Sequence, residues 1–215
     1  MPHRSEPDLD VLLVMVPGIG MTAGDIDTQG LIGAAGESHR PIRVVVVDPG
    51  FDGYLDGSVE TNLIAAIARA RDQFCPRRVW LAGISLGCQA LLRCVKRQPD
   101  LAHGLILITP YLASTGLIAE IARADGLRVW SKANTGGTDP ERALMTWLAK
   151  TPMSALPRIF VGRAAADRFA MTATLMADLL PADHVVTVPG AHDWASWKAL
   201  WQLILDRQPF RSAPY

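Results

Sequence analysis

Gly83-Ile84-Ser85-Leu86-Gly87 stands between the apolar run Arg78 to Ala82 and the helical stretch Cys88 to Val95, so a G-x-S-x-G motif falls on a strand-to-helix turn. A serine in that context is held in a strained conformation with its hydroxyl exposed above the sheet. The helix that follows directs the positive end of its dipole at the reacting atoms. Ser85 is therefore the candidate nucleophile for attack on a carbonyl carbon. Gly83 and Gly87 flank it because side chains at either position would crowd the turn. Taken alone, the pattern could also be a glycine-bounded connection with a serine at the helix start, the less favoured of the two readings; the rest of the chain decides.

A serine hydroxyl needs a general base, and the base needs an orienting carboxylate. Arg158 to Gly162 reads as a buried strand, and Arg163-Ala164-Ala165-Ala166-Asp167 places Asp167 in the loop beyond its carboxyl end. His184 to Val188 is the next strand, and Pro189-Gly190-Ala191-His192-Asp193 is the loop after it. Ser85, Asp167 and His192 thus each lie just past a strand end, where a single constellation can form. Among competitors, His184 opens a strand and belongs at the opposite edge, while His3, His39 and His103 read as surface residues. Asp193 adjoins His192, and neighbours in a tight loop seldom point together, so Asp167 is preferred. Asp48 is better employed capping the Pro49-Gly50 turn.

The charge that develops on an attacked carbonyl oxygen needs two main-chain N–H groups. The first is that of Leu86, immediately after the candidate nucleophile. The second should come from Pro17-Gly18-Ile19-Gly20-Met21, the loop after the first strand, with Ile19 preferred and Gly20 second.

On these residues the chain resembles the small bacterial α/β-hydrolases of the broad serine esterase, lipase and thioesterase superfamily, from about Val11 to Asp206. Gly83 to Gly87, the acid loop Gly162 to Arg168 and Gly190-Ala191-His192-Asp193-Trp194 carry the resemblance. Thr109-Pro110-Tyr111-Leu112, continuing to Gly116-Leu117-Ile118, is similar to a set of compact proteobacterial hydrolases. Many relatives have His-Gly where this chain has Pro17-Gly18, a departure a main-chain donor tolerates. The resemblance implies the chain order nucleophile, acid, base and a serine hydrolase acting on a carboxylic ester or thioester, with no metal and no organic cofactor. An acyltransferase or editing thioesterase is the alternative within enzymes. A non-catalytic ligand-binding protein on the same scaffold is the alternative outside them, although such a protein has no need of an acid in that loop.

Six segments must position these groups. Strands are expected near 11–16, 42–47, 78–82, 104–109, 158–162 and 184–188, alternating with helices, the signature of a parallel sheet between two helical layers. The fold class is thus a three-layer α/β sandwich with a mostly parallel sheet of about six strands. Val44 to Val47 is apolar on both faces, as a central parallel strand should be. Right-handed crossovers order the strands 2-1-3-4-5-6. Val59, Leu63, Ile67, Ala70 and Phe74 recur at helical spacing behind Ser58 as a cap. Trp197, Leu200, Trp201, Ile204 and Leu205 form a stripe on the last helix, read as core.

Between the fourth and fifth strands, residues 111–151 hold helical patterns over Leu117 to Ala124 and Glu141 to Ala149, joined by Ala133-Asn134-Thr135-Gly136-Gly137-Thr138. This segment is the candidate small cap. Tyr111, Leu112, Trp130, Met145 and Trp147 are candidates for pocket walls, with Gly18, Tyr111 and Trp130 as the substrate-binding choices. So little material predicts a shallow acyl pocket and short-chain substrates.

A chain of 215 residues, nearly half of them apolar, suits one substantial α/β core, so 1–215 is expected to form a single domain. Its 21 basic and 21 acidic residues balance, and without a net field the expected partner is a small acyl ester or thioester rather than nucleic acid or an anionic membrane. Cys75, Cys88 and Cys94 lack metal-ligand spacing and read as buried reduced thiols of a cytoplasmic protein. The charged, proline-containing start followed by the short run Val11 to Val16 does not read as a secretory leader. No apolar run approaches the roughly 20 residues that cross a bilayer.

Overall fold

Six short apolar runs become six strands, the inner ones covered on both faces by helices. The structure, a computed structural model, describes residues 9–37, 41–133 and 137–211. The strands are β1 (Val11–Val16), β2 (Ile42–Val46), β3 (Arg78–Ile84), β4 (Gly104–Ile108), β5 (Arg158–Ala164) and β6 (Val185–Val188). They pair in the order β2-β1-β3-β4-β5-β6, and every pair is parallel. The helices are α1 (Ala23–Thr28), α2 (Leu31–Gly36), α3 (Gly50–Leu55), α4 (Val59–Phe74), α5 (Leu86–Arg97), α6 (Thr115–Arg123), α7 (Leu127–Trp130), α8 (Pro140–Lys150), α9 (Ala170–Ala177) and α10 (Trp194–Asp206).

The two-residue period of a strand divides the core in two. Leu12, Val14 and Val16 of β1 join the cluster formed with α4, α5, α6, α8 and α9, whereas Val11, Leu13 and Met15 join the one formed with α1, α2 and α10. All six β1 residues are buried. Trp201, expected as core, is 1% exposed and donates its Nε1–H to the Leu31 carbonyl at 2.9 Å, fastening α10 to α2.

Several sequence expectations are corrected. Val44 to Val46 lie in edge strand β2, with Val47 just past its end, and the run is only half buried; it is apolar on both faces because each face still meets a helical layer. β3 and β5 run to Ile84 and Ala164, longer than expected, because the ladder pairs Ile84 with Ile108 and Ala164 with Val188. β4 stops before Thr109, whose φ of 41° leaves the extended region. Ser58 occupies the N-cap position of α4 but makes no capping bond; its hydroxyl accepts from Asn62 Nδ2 at 2.9 Å. Cys75 is exposed, while Cys88 and Cys94 are buried. His3 and His39, and 134–136 of the polar linker, lie outside the described residues. Among the described residues no helix is long and apolar enough to cross a membrane.

Candidate active site

The link from β3 to α5 is a single residue. Ser85 has φ 55° and ψ −119°, a left-handed backbone that a non-glycine residue adopts at a cost on the order of 1–3 kcal/mol. Three main-chain hydrogen bonds hold it there: its N–H donates to the Ile108 carbonyl at 3.0 Å, and its carbonyl accepts from Cys88 and Tyr111, each at 3.1 Å. The turn leaves no room beside it. A Cβ on Gly83 would stand 2.8 Å from Cys88 N, and one on Gly87 would stand 2.4 Å from the Val16 carbonyl oxygen, so the start of α5 rests directly on the end of β1.

Parallel strands bring the loops after β1, β3, β5 and β6 to one edge, and two hydrogen bonds tie the last two together. Ala165 N–H donates to the Val188 carbonyl at 2.9 Å and Ala166 N–H to the Gly190 carbonyl at 2.8 Å. Asp167 and His192, distant in sequence, thereby become neighbours. Asp167 Oδ1 accepts from Phe169 N–H at 2.6 Å and Oδ2 from His192 Nδ1 at 2.7 Å. His192 Nε2 lies 2.9 Å from Ser85 Oγ. A carboxylate can only accept, so the ring proton sits on Nδ1 and Nε2 is free to accept the serine hydroxyl proton. The Asp167 side chain is 1% exposed and that of His192 10%, so the acid is the more deeply buried of the two.

The competing groups are engaged elsewhere. Asp193 caps α10, accepting from Ser196 N–H at 2.9 Å; bonds from that amide and from the Ser196 hydroxyl hold its carboxyl below the usual range. Asp48 accepts from Gly50 N–H at 2.9 Å. His184 lies at the far edge, its ring 4.4 Å from that of Phe160, with burial and then the nearby Arg158 charge lowering its proton affinity. His103 is exposed and accepts from Val79 N–H.

Gly18 is packed on Ser85, where a Cβ would stand 3.1 Å from Ser85 Cβ. Leu86 opens α5, so its N–H belongs to the first turn, which has no intrahelical acceptor. Ile19, in the loop beside Gly18, is half exposed. Among the described residues no group of three or more His, Cys, Asp and Glu side chains could hold a metal ion.

Residues 13–214 match the model of the alpha/beta hydrolase family. This chain belongs to that family. Its fold is similar to S-formylglutathione hydrolase (FrmB) from Staphylococcus aureus, with 15% identity and a TM-score of 0.64 over 94% of this chain and 83% of that one. It is similar also to Est1E from Butyrivibrio proteoclasticus, at 16% identity and a TM-score of 0.62 over 94% and 90%. A third likeness is to fluorophosphonate-binding serine hydrolase F of Staphylococcus aureus, at 14% identity and a TM-score of 0.61 over 96% and 86%. No curated protein matches the chain.

In this member of the alpha/beta hydrolase family the residues after β4 lie beside Ser85, whose carbonyl accepts from Tyr111 N–H. Tyr111 is half buried and its ring meets that of Phe169 edge to face at 5.2 Å. Its hydroxyl donates to Glu141 Oε1 at 3.1 Å, and burial, then the Glu141 charge, pushes its pKa up to about 12. Glu141 Oε2 also accepts from Ser114 N–H at 2.7 Å, so the start of α8 pins the 111–114 loop. Trp130, expected on the pocket wall, is instead 3% exposed within the core cluster; its Nε1–H donates to Glu120 and the Arg142 guanidinium lies over its ring. That packing accounts for the indole without a ligand. Leu112 and Met145 are fully buried, and Trp147 lines a separate cavity of about 430 Å³ whose walls include none of Ser85, Asp167 and His192. Sequence reasoning passed over Phe169, Thr109 and Glu141. An aromatic residue two places after the acid was the one visible signal.

Proposed function

We propose that the protein is a serine hydrolase that cleaves small carboxylic esters or thioesters through an acyl-enzyme. Ser85 Oγ attacks the acyl carbon as its proton passes to His192 Nε2. Asp167 holds the imidazole by Nδ1–H and stabilises its cationic form, and the N–H groups of Leu86 and Ile19 bind the oxyanion. His192 then protonates the leaving alcohol or thiol. A water molecule, deprotonated by His192, attacks the acyl-serine, and as the bond from the acyl carbon to Ser85 Oγ breaks that proton passes to Oγ and the acid is released. The observation that carries this reading is the unbroken run of hydrogen bonds from Asp167 through His192 to Ser85, at 2.7 and 2.9 Å, ending on a serine held at positive φ. Both catalytic hydrogen bonds are already within the reach that proton transfer requires.

A small substrate is supported by the way residues 111–151 use their apolar side chains. Leu117, Ile118, Ile121, Leu127, Trp130, Leu144, Met145 and Leu148 are all buried in the core, which leaves little apolar material to enclose a long acyl chain. Gly18, packed against Ser85, and Tyr111, whose N–H donates to the Ser85 carbonyl, are the proposed substrate contacts. The test is labelling of the purified protein with a fluorophosphonate, which reacts only with an activated serine. Labelling is expected for the native protein and abolished in Ser85→Ala; labelling retained in that variant would overturn the assignment.

A further inference from the structure

The two hydrogen bonds of His192 run to Asp167 and to Ser85, and a ring tethered at Nδ1 and Nε2 alone can still rock about the line joining its partners. Two aromatic rings oppose that motion. Phe169 meets the imidazole at a centroid distance of 5.1 Å with planes 85° apart, and Trp197 meets it at 5.2 Å and 88°. Phe169 is anchored to the acid, since its own N–H donates to Asp167 Oδ1.

Trp197, in α10, is anchored by the residue that follows β4. Its Nε1–H donates to Thr109 Oγ at 2.8 Å, with both residues almost wholly buried. Thr109 is a β-branched residue with φ 41°, immediately before Pro110, in a backbone region that such residues rarely enter. Strain of this kind persists only where the surroundings enforce it. Here the Thr109 N–H donates to the Gly162 carbonyl at 2.8 Å, and the strained backbone delivers the hydroxyl to the indole. Without that hydroxyl the indole N–H would be left unpaired in the core.

We propose that Thr109 and Trp197 are positioning residues for His192: Thr109 fixes the indole, and the indole, with Phe169, fixes the imidazole plane. The proposal rests on the reading of His192 as the general base. Thr109 acts through the indole, and the indole through the imidazole ring.

Thr109→Val keeps the shape and removes the acceptor, Thr109→Ser keeps the acceptor, and Trp197→Phe keeps a ring and removes the donor. In each, kcat and KM are measured on an activated short-chain ester and the ¹H NMR resonance of His192 Nδ1–H is recorded. Thr109→Val and Trp197→Phe are expected to lower kcat by about ten- to a hundredfold, as small misplacements of a catalytic group do, with KM within about twofold. Their Nδ1–H resonance should shift and exchange faster with solvent, and Thr109→Ser should restore both readouts. A resonance and kcat unmoved in Trp197→Phe, or a fall in melting temperature alone, overturns the positioning role. A native protein with no Ser85-dependent turnover overturns the catalytic reading and this proposal with it; a native protein that turns over beside unaffected variants overturns this proposal alone. Should Thr109→Val not fold, Trp197→Phe and Thr109→Ser decide the matter by the same measurements.

Discussion

Asp167, 25 positions before His192, and Asp193, its chain neighbour, are the two carboxylates that could serve it, and their surroundings separate them. Asp167 is buried with both oxygens committed, one to Phe169 N–H and one to the imidazole, whereas Asp193 is spent on the first turn of α10. An amide in place of the Asp167 carboxylate can donate to Nδ1 and stabilise the wrong imidazole tautomer. Asp167→Asn is therefore expected to lower kcat by about ten-thousandfold while the fold persists. Asp193→Asn should leave kcat within about tenfold, since asparagine also serves as an N-cap. Steady-state kinetics on one short-chain ester compares the two variants, and a larger loss in Asp193→Asn would refute the choice of acid.

The helices between β4 and β5 are held to one another by polar contacts at the surface and by apolar ones beneath. Arg142 pairs with both oxygens of Glu120, at 2.8 and 2.7 Å, and Trp130 Nε1–H donates to the same carboxylate. The Arg142 bonds first, then that of Trp130, hold the Glu120 pKa down to about 2. A carboxylate depressed in the folded state adds stability above its unfolded pKa of about 4.3, and that stability is lost as pH falls towards the folded value. Urea unfolding of native protein and Glu120→Gln should differ by a constant amount above pH of about 4.5 and converge as pH approaches about 2. A difference independent of pH would show that the carboxylate is not perturbed. Beneath this pair, Trp130 fills core volume, so Trp130→Ala is expected to cost about 3–5 kcal/mol of stability. Calorimetry should show that loss, and an acyl-chain optimum unchanged in the variant follows from its packing away from substrate. A shifted optimum with little loss of stability would return Trp130 to the pocket wall.

For the molecule as a whole, the parallel sheet gathers the loops that carry Gly18, Ser85, Asp167 and His192 at one edge, while the opposite edge holds packing contacts such as Arg158 with His184. With most apolar side chains of residues 111–151 consumed by the core, the proposed acyl pocket is shallow. Each methylene contributes about 0.8 kcal/mol only while it can be enclosed. Across a series of acyl esters, kcat/KM should rise over the first few carbons and then level off or fall. A preference for emulsified long-chain esters, with activity jumping at the oil-water interface, would contradict this.

Much of this was written locally. Alternating apolar runs announce strands and their parallel order, because buried parallel strands must be apolar on both faces and right-handed crossovers allow few arrangements. Gly83, Ser85 and Gly87 announce the elbow, since only residues without side chains fit against β1 and α5. Asp167 and His192 could be chosen from their places after strand ends. What local pattern could not reach were the contacts that depend on where separate elements meet in space. The half-buried state of Val44 to Val47 follows from β2 lying at the edge, and the burial of Trp130 from the way α6, α7 and α8 close on the core. The pairing of Thr109 with Trp197 depends on β4 and α10 meeting, 88 positions apart in the chain, and no periodicity records that meeting. Sequence pattern determines which residues turn towards a sheet edge; the packing of helices on that sheet decides which of them touch.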